Sequence, residues 1–407
     1  MLKNPPLSLY IHIPWCVQKC PYCDFNSHAF SHDSKSDNKS NALTPGLPEK
    51  EYVTELIADL DHDIAQFNLQ NRSLFSIFIG GGTPSLFSPA AIKSLLTQVL
   101  ARFSYDKDIE ITLEANPGTV EADKFKGFFD AGVSRLSIGV QSFESEKLIK
   151  LGRIHDSNQA KKAAELATSC GVDSFNLDLM HGLPQQTLEN ALDDIKTAIK
   201  LAPTHLSWYQ LTIEPNTPFH SKPPKLPIDD ILWDIQDQGV ELLEQAGYQQ
   251  YEISAYSKPE FQCQHNLNYW QFGDYLGIGC GAHGKITDID KQVIYRTIKV
   301  KHPKGYLDSK REHLDHLNEV SKDELPFEYM MNRLRLVSAF TLDEYQAATG
   351  LAAHTILPKL ELAKNKGLMK SFTQNSISNN INKHQVEQWQ VTKLGHRYLN
   401  DLLEMFL

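Results

Sequence analysis

Long apolar runs and an excess of basic residues are both missing from this sequence of 407 residues. No stretch of about 18 apolar residues occurs, so the sequence predicts no integral membrane segment. The first residues lack the basic start and apolar core of a secretory signal, and a cytoplasmic protein is therefore expected. With 40 Lys and Arg against 50 Asp and Glu, the formal net charge is −10. This charge argues against nucleic acid as a partner, because phosphate backbones attract basic surfaces.

Cysteine is scarce, with six residues, and unevenly distributed. Cys16, Cys20 and Cys23 share one short segment, whereas the other three are scattered along the chain. In a reducing compartment such a tight cluster favours metal binding over disulfide formation.

Short β-type runs alternate with helical stretches over the first 250 residues. We count six strand-then-helix units by about residue 246, which predicts a parallel sheet with right-handed crossovers. The first predicted strand is Leu7–Ile13 and the sixth is His205–Ile213. The Gly-rich and polar motifs follow strand ends, where parallel sheets of this kind bind ligands.

After residue 250 the pattern changes. Extra strands are predicted over residues 251–324, and from Leu325 to Leu407 helices precede a hairpin, as in a winged helix. The sequence thus predicts a partial (β/α)6 barrel over 1–250, an extension over 251–324 and a winged-helix-like C-terminal domain over 325–407. That last region carries nine Lys or Arg against seven Asp or Glu. Structural or partner-docking use is therefore favoured over DNA binding.

The spacing Cys16-x-x-x-Cys20-x-x-Cys23 supplies three thiolates from one loop. A cubane [4Fe–4S] cluster needs a ligand on each of four irons, so three protein ligands leave one iron open. That iron can chelate the amino and carboxylate groups of S-adenosylmethionine, whose sulfonium the cluster can reduce. Structural zinc normally takes four ligands. A zinc site here would have to recruit a fourth, for which His12 and His28 are nearest in sequence.

The cysteine loop after a first strand resembles that of the radical SAM superfamily. Further sequence words match one branch, the oxygen-independent coproporphyrinogen III oxidase-like family, along nearly the whole chain. These words are YIHIPWC from Tyr10, CPYCDFN from Cys20, FIGGGTP from Phe78, EANP from Glu114, GVQSF from Gly139, LGRIH from Leu151 and NLDLMHGLP from Asn176. The implied fold is α/β, a partial (β/α)6 radical SAM barrel with a C-terminal α+β domain containing a winged-helix-like segment.

Within this family the sequence is more similar to heme chaperones than to coproporphyrinogen III dehydrogenases. The dehydrogenases carry a further cysteine two residues after the third, where this chain has Phe25, and a longer extension before the first strand. His265 to Trp270 (HNLNYW) matches the H-N-x-x-Y-W stretch that the resemblance associates with heme. The resemblance implies a role in porphyrin metabolism, as a chaperone that delivers heme to respiratory proteins without dehydrogenase activity. The radical dehydrogenase stays open as the alternative.

The resemblance also implies the site residues. Cys16, Cys20 and Cys23 would ligate the cluster, and no catalytic residue is assigned. The residues expected to contact S-adenosylmethionine or heme are Tyr10, Tyr22, Gly81, Gly82, Thr83, Glu114, Gln141, Arg153, Asp178 and His265.

Structural alternatives exist for several of these residues. They are a tight turn for the glycines, core packing for the tyrosines, a solvated loop position for a strand-end carboxylate and a hydrogen-bonded structural role for His265. Cys263 competes with His265 as a heme ligand. The expected partners are heme and heme-requiring respiratory clients, with transient membrane association through those clients, and a homodimer is left open.

Overall fold

A computed structural model describes residues 1–30, 46–119, 122–376 and 384–407. Its central feature is a run of six parallel strands that are neighbours in chain order. These strands are β1 Leu7–Ile13, β2 Ser73–Gly81, β3 Ser104–Ala115, β4 Arg135–Gln141, β5 Ser174–His181 and β6 His205–Gln210. This run confirms the predicted α/β fold class with its partial (β/α)6 barrel.

Helices connect and cover the parallel strands. They are α1 Glu49–Gln66, α2 Pro89–Leu100, α3 Ala122–Asp130, α4 Ser145–Lys150, α5 Ser157–Ser169, α6 Leu188–Lys200, α7 Pro218–Ser221 and α8 Asp229–Gln245. Side chains of Asp156 and Thr187 begin α5 and α6 with reciprocal capping boxes, which satisfy backbone donors of the first turn.

Alternation along β1 decides which side of the sheet meets these helices. Leu7, Leu9, Ile11 and Ile13 are fully buried and share one core cluster with the apolar side of α1. Residues between them point to the opposite face, because successive side chains of a strand alternate. That opposite face is the one that carries polar groups such as Ser8 and His12.

The segment after residue 246 extends the same sheet at both edges. Its elements are β7 Gln249–Glu252, β8 Ala255–Ser257, α9 Gln264–Trp270, β9 Asp274–Gly279, β10 His283–Asp288, β11 Val293–Lys299, α10 Pro303–Tyr306 and β12 Leu314–Glu319. Strand β9 pairs with β1 in parallel, with Tyr10 opposite Gly277, and β8 pairs with β6 antiparallel. The extra strands predicted here are present, and the one expected over Tyr251–Ser254 lies slightly earlier, at β7.

The C-terminal region forms a second packed unit. It contains α11 Leu325–Arg333, α12 Leu342–Thr349, α13 Leu357–Asn365, β13 Met369–Ser376, β14 His384–Val391, α14 Lys393–Arg397 and α15 Leu399–Glu404. β13 and β14 pair antiparallel, so helices precede a hairpin as predicted. This region has a second hydrophobic cluster, which includes Tyr329, Tyr345, Trp389 and Leu402. Among the residues that the structure describes, no helix has the length and apolar character needed to cross a membrane.

Candidate functional site

A cavity opens at the carboxyl ends of the parallel strands. The predicted site residues that line it are Cys16, Cys20, Tyr22, Cys23, Gly81, Gly82, Thr83, Glu114, Gln141, Arg153 and Asp178. Two predicted residues, Tyr10 and His265, do not line it. The fold therefore brings side chains from five successive strands and their following loops to one place.

The cysteine loop leaves β1 and returns to close on itself. Trp15 and Cys16 pair in parallel with His28 and Ala29, which fixes the two ends of the loop. All three cysteines are half-buried with free thiols. Burial raises the pKa of the Cys16 thiol, and a hydrogen bond from Thr83 opposes this effect.

Each of the three sulfurs has a side-chain hydrogen-bond partner. Thr83 Oγ1 lies 3.6 Å from Cys16 Sγ, and Arg153 Nη1 lies 3.6 Å from Cys20 Sγ. Cys23 Sγ lies 3.7 Å from Ser27 Oγ. Such outer contacts are typical of thiolates that ligate iron.

The donor set fits a cubane cluster. In the described part of the chain, no group of three or more His, Cys, Asp or Glu is placed to hold a single metal ion. A cubane needs no such group, because each thiolate binds a different iron.

The glycine turn after β2 is sterically required. Gly81 has a φ of +112°, and a Cβ there would lie 2.5 Å from the imidazole of His12. A Cβ on Gly82 would lie 2.5 Å from the carbonyl oxygen of Trp15. The turn and the cysteine loop thus approach each other at backbone distance, which only glycine permits.

Two half-buried carboxyl groups face the cavity. Burial raises the pKa of Glu114 to about 7, the charge of Asp178 adds to this rise, and the N–H of Gly81 opposes it. That N–H donates to Glu114 Oε2 at 3.0 Å. Burial likewise raises the pKa of Asp178, which accepts hydrogen bonds from Asn176 at 2.8 Å and Ser137 at 3.3 Å. Such groups suit a ligand that brings a positive charge or hydroxyls.

Arg153 and Gln141 also line the cavity. Arg153 Nη2 donates to the carbonyl of Gly139 at 2.7 Å, which aims the guanidinium across the cysteine loop. Gln141 ends β4 with a left-handed φ of +68° and accepts a hydrogen bond from the Tyr209 hydroxyl at 2.9 Å. Tyr22 lines the cavity and also packs against Phe219, with ring centroids 6.3 Å apart.

Tyr10 lies behind the glycine turn. Its hydroxyl is 2.9 Å from His12 Nδ1, and its ring stacks on Phe78. His12 in turn bonds through Nε2 to the carbonyl of Asn26 at 2.9 Å. Tyr10 therefore supports the imidazole against which Gly81 packs.

His265 lies in α9, outside the cavity lining, and contacts Ser76 and Phe78 of β2 and Glu110 of β3. It is 2% exposed, and its Nδ1 is 3.0 Å from the hydroxyl of Ser76. Its ring contacts that of Phe78 at 5.1 Å, and burial lowers its pKa to about 3. Cys263 is fully buried beside it. Heme ligation by either residue requires α9 to move.

Several residues that line the cavity were not predicted from the sequence, namely Ser27, Asn116, Ser137, Gly139 and Tyr209. A signal existed for some of them. Ser137 and Gly139 alternate along β4 and so are expected on the same face as the predicted Gln141. Tyr209 stands near the end of β6, where the other strands also supply cavity residues.

Comparison with known proteins places these features in a family context. Residues 10–198 match the Radical SAM superfamily, and residues 320–371 match the HemN C-terminal domain. The chain is 54% identical to the heme chaperone HemW of Haemophilus influenzae, over 100% of this chain and 99% of that protein. It is 54% identical to heme chaperone HemW of Escherichia coli K12 over the full length of both. Identity to the Bacillus subtilis heme chaperone HemW is 34%, over 89% and 92% of the two chains.

A solved structure with the same fold is coproporphyrinogen III oxidase (HemN) from Escherichia coli. The TM-score is 0.77 at 23% identity, and the match covers 99% of this chain and 90% of that one. The shared architecture therefore includes both the barrel and the C-terminal region.

Proposed function

This chain belongs to the HemW family of heme chaperones within the radical SAM superfamily, and we propose that it holds heme, a [4Fe–4S] cluster and S-adenosylmethionine and delivers heme to respiratory proteins. The observation that carries the proposal is full-length identity of 54% to proteins named heme chaperones. We place this activity in the cytoplasm, with membrane contact through the clients.

Cys16, Cys20 and Cys23 would hold the cluster. The half-buried sulfurs, their three polar neighbours and the glycine turn beside them support this assignment. When bound, the cluster supplies the electron for reductive chemistry on S-adenosylmethionine. The chain itself contributes binding, orientation and partial exclusion of water.

The other cavity residues would hold S-adenosylmethionine. The backbone of Gly81, Gly82 and Thr83 allows close approach by its methionine portion. Glu114 and Asp178 suit its amino group or ribose hydroxyls, and Arg153 suits its carboxylate. Gln141 and Tyr22 complete the wall. Tyr10 would act from behind this wall through His12.

Phe25 supports heme binding beside this cavity. Its side chain lines the cavity and is 65% exposed, in the position where the dehydrogenases carry a cysteine. An apolar ring held in solvent suits the flat face of a porphyrin. The Lys19 ammonium, which donates to the carbonyl of Phe25 at 3.1 Å, suits a propionate. His265 is a second heme contact that depends on movement of α9.

Two assays run on one anaerobic preparation test the proposal. We expect heme titration to produce a Soret change and coproporphyrinogen III to give no protoporphyrinogen IX. Robust decarboxylation without heme binding would overturn the chaperone in favour of the dehydrogenase, the alternative that the HemN fold supports. Titration of His265→Ala separates the two heme contacts, because an unchanged Soret band would exclude ligation by His265.

A further inference from the structure

The three cysteine sulfurs are contacted by polar groups from three separate parts of the chain, and each of these groups can donate a hydrogen bond once the cysteine is a thiolate. Thr83 follows β2, Arg153 follows α4, and Ser27 lies in the returning arm of the cysteine loop. Thr83 and Ser27 are each 6% exposed, so water competes little for their hydroxyls. Each sulfur thus has one polar side-chain partner, whereas packing alone could be achieved by apolar side chains.

The backbone around both hydroxyls is tied down. Ser27 N–H donates to the carbonyl of Phe25 at 2.7 Å, and the side chain of Asn26 donates to the carbonyls of Cys280 and Lys301 at 2.9 Å each. Thr83 N–H donates to the carbonyl of Trp15 at 2.8 Å. Both hydroxyls are therefore held beside their sulfurs by neighbouring structure.

Thiolate ligands of a cluster accept hydrogen bonds more strongly when the cluster is reduced. Taking up one electron adds negative charge that is shared with the sulfurs, and a donor stabilises that state more than the oxidised one. Each added donor therefore makes it easier for the cluster to accept an electron.

We infer that Ser27, Thr83 and Arg153 are positioning residues that raise the reduction potential of the cluster through one hydrogen bond to each cysteine sulfur. The inference rests on the proposed cluster binding. Ser27, which was not predicted as a site residue from the sequence, thereby gains a role. Thr83 and Arg153 gain a second role beside ligand contact.

The test is an anaerobic redox titration of the reconstituted full chain, with dithionite as the one-electron donor and no S-adenosylmethionine. Ser27→Ala and Thr83→Val each remove one hydroxyl. We expect each to lower the ratio of reduced to oxidised cluster at a fixed potential about threefold, which is ~28 mV toward more negative values for a one-electron couple.

Two matched variants complete the experiment. Thr83→Ser keeps the hydroxyl and should retain the wild-type potential. Ser137→Ala removes a hydroxyl of the same cavity that faces Asp178 rather than sulfur, and should also leave the potential unchanged. Unshifted potentials in Ser27→Ala and Thr83→Val, or an equal shift in Ser137→Ala, would overturn the inference.

Iron and sulfide analysis keeps the two claims separate. If Ser27→Ala assembles no cluster, the Thr83→Val and Thr83→Ser pair decides the inference at a second sulfur. A wild-type chain that assembles no [4Fe–4S] cluster would overturn the proposed cluster binding itself, and the inference with it.

Discussion

The thiols of Cys16, Cys20 and Cys23 lie in a single loop whose ends are paired, and in a cubane each would ligate a different iron. Replacing any one of them by Ala should abolish the charge-transfer absorption of the anaerobically reconstituted protein, because a second iron would lose its ligand. Cys170→Ala is the control and should keep the absorption, since Cys170 follows α5 and does not line the cavity. Retention of the band in all three variants would contradict the ligand assignment.

The raised pKa of Glu114 predicts that ligand binding depends on pH. Burial raises its pKa to about 7, so its carboxyl is largely neutral at pH 6 and largely ionised at pH 8. The sulfonium charge of S-adenosylmethionine favours the ionised form, so the affinity for this ligand should rise about tenfold across this interval.

The matched variant for this prediction is Glu114→Gln. Equilibrium dialysis with cluster-loaded protein should show weaker binding, by roughly ten- to a hundredfold at pH 8, because a charge-assisted contact is lost. The rise between pH 6 and pH 8 should flatten in the variant. A wild-type affinity that is constant over the interval would show that binding does not depend on the ionisation of Glu114.

Phe25 makes the heme proposal testable at one side chain. Phe25→Ser should weaken heme binding about tenfold, since it removes most of an apolar contact. Absorption of the cluster should be unchanged. Phe129→Ser is the control, because Phe129 is also partly exposed, at 38%, but lies on α3. Equal heme affinities for the two variants would exclude Phe25 as a contact.

Helix α9 is attached to the barrel through its first turn. Glu110 of β3 accepts the backbone N–H groups of Gln264 at 3.0 Å and His265 at 3.1 Å. A carboxylate at a helix N-terminus satisfies donors that have no partner within the helix. Asn268 adds hydrogen bonds to the hydroxyl of Ser8 and the carbonyl of Asp274.

Loosening α9 should therefore be measurable. Glu110→Gln should lower the free energy of unfolding by ~1–2 kcal/mol and speed hydrogen exchange at the first amides of α9. Asp108→Asn, an exposed position on the same strand, should do neither. Unchanged exchange in Glu110→Gln would show that the carboxylate does not hold the helix.

The elements differ in how far the sequence predicts them. The six barrel strands are predictable because each is a short apolar run followed by a polar or Gly-rich motif. These motifs meet at one edge of the sheet. The parallel pairing of β9 with β1 is not, because it joins residues such as Tyr10 and Gly277 that are far apart in sequence. Tyr10 lies behind the glycine turn and His265 lies outside the cavity. Neither position is predictable from the sequence, because both depend on tertiary packing.

Helix α9 also lies between the barrel and the C-terminal region. Arg335 lies over the ring of Trp270 at 4.3 Å, and Phe272 contacts Tyr329 with ring centroids 5.6 Å apart. Phe272 also belongs to the hydrophobic cluster of the C-terminal region. A movement of α9 that exposed His265 would thus disturb both packed units.

Heme transfer from this chain to an apo-form respiratory heme protein tests the proposed chaperone function most directly. We expect the heme-loaded, cluster-reconstituted chain to supply heme to the client faster than free heme at equal concentration does, measured by the client's own heme absorption. We also expect no protoporphyrinogen IX in the parallel assay. A chain that gives the client no heme while decarboxylating coproporphyrinogen III would contradict the proposed function.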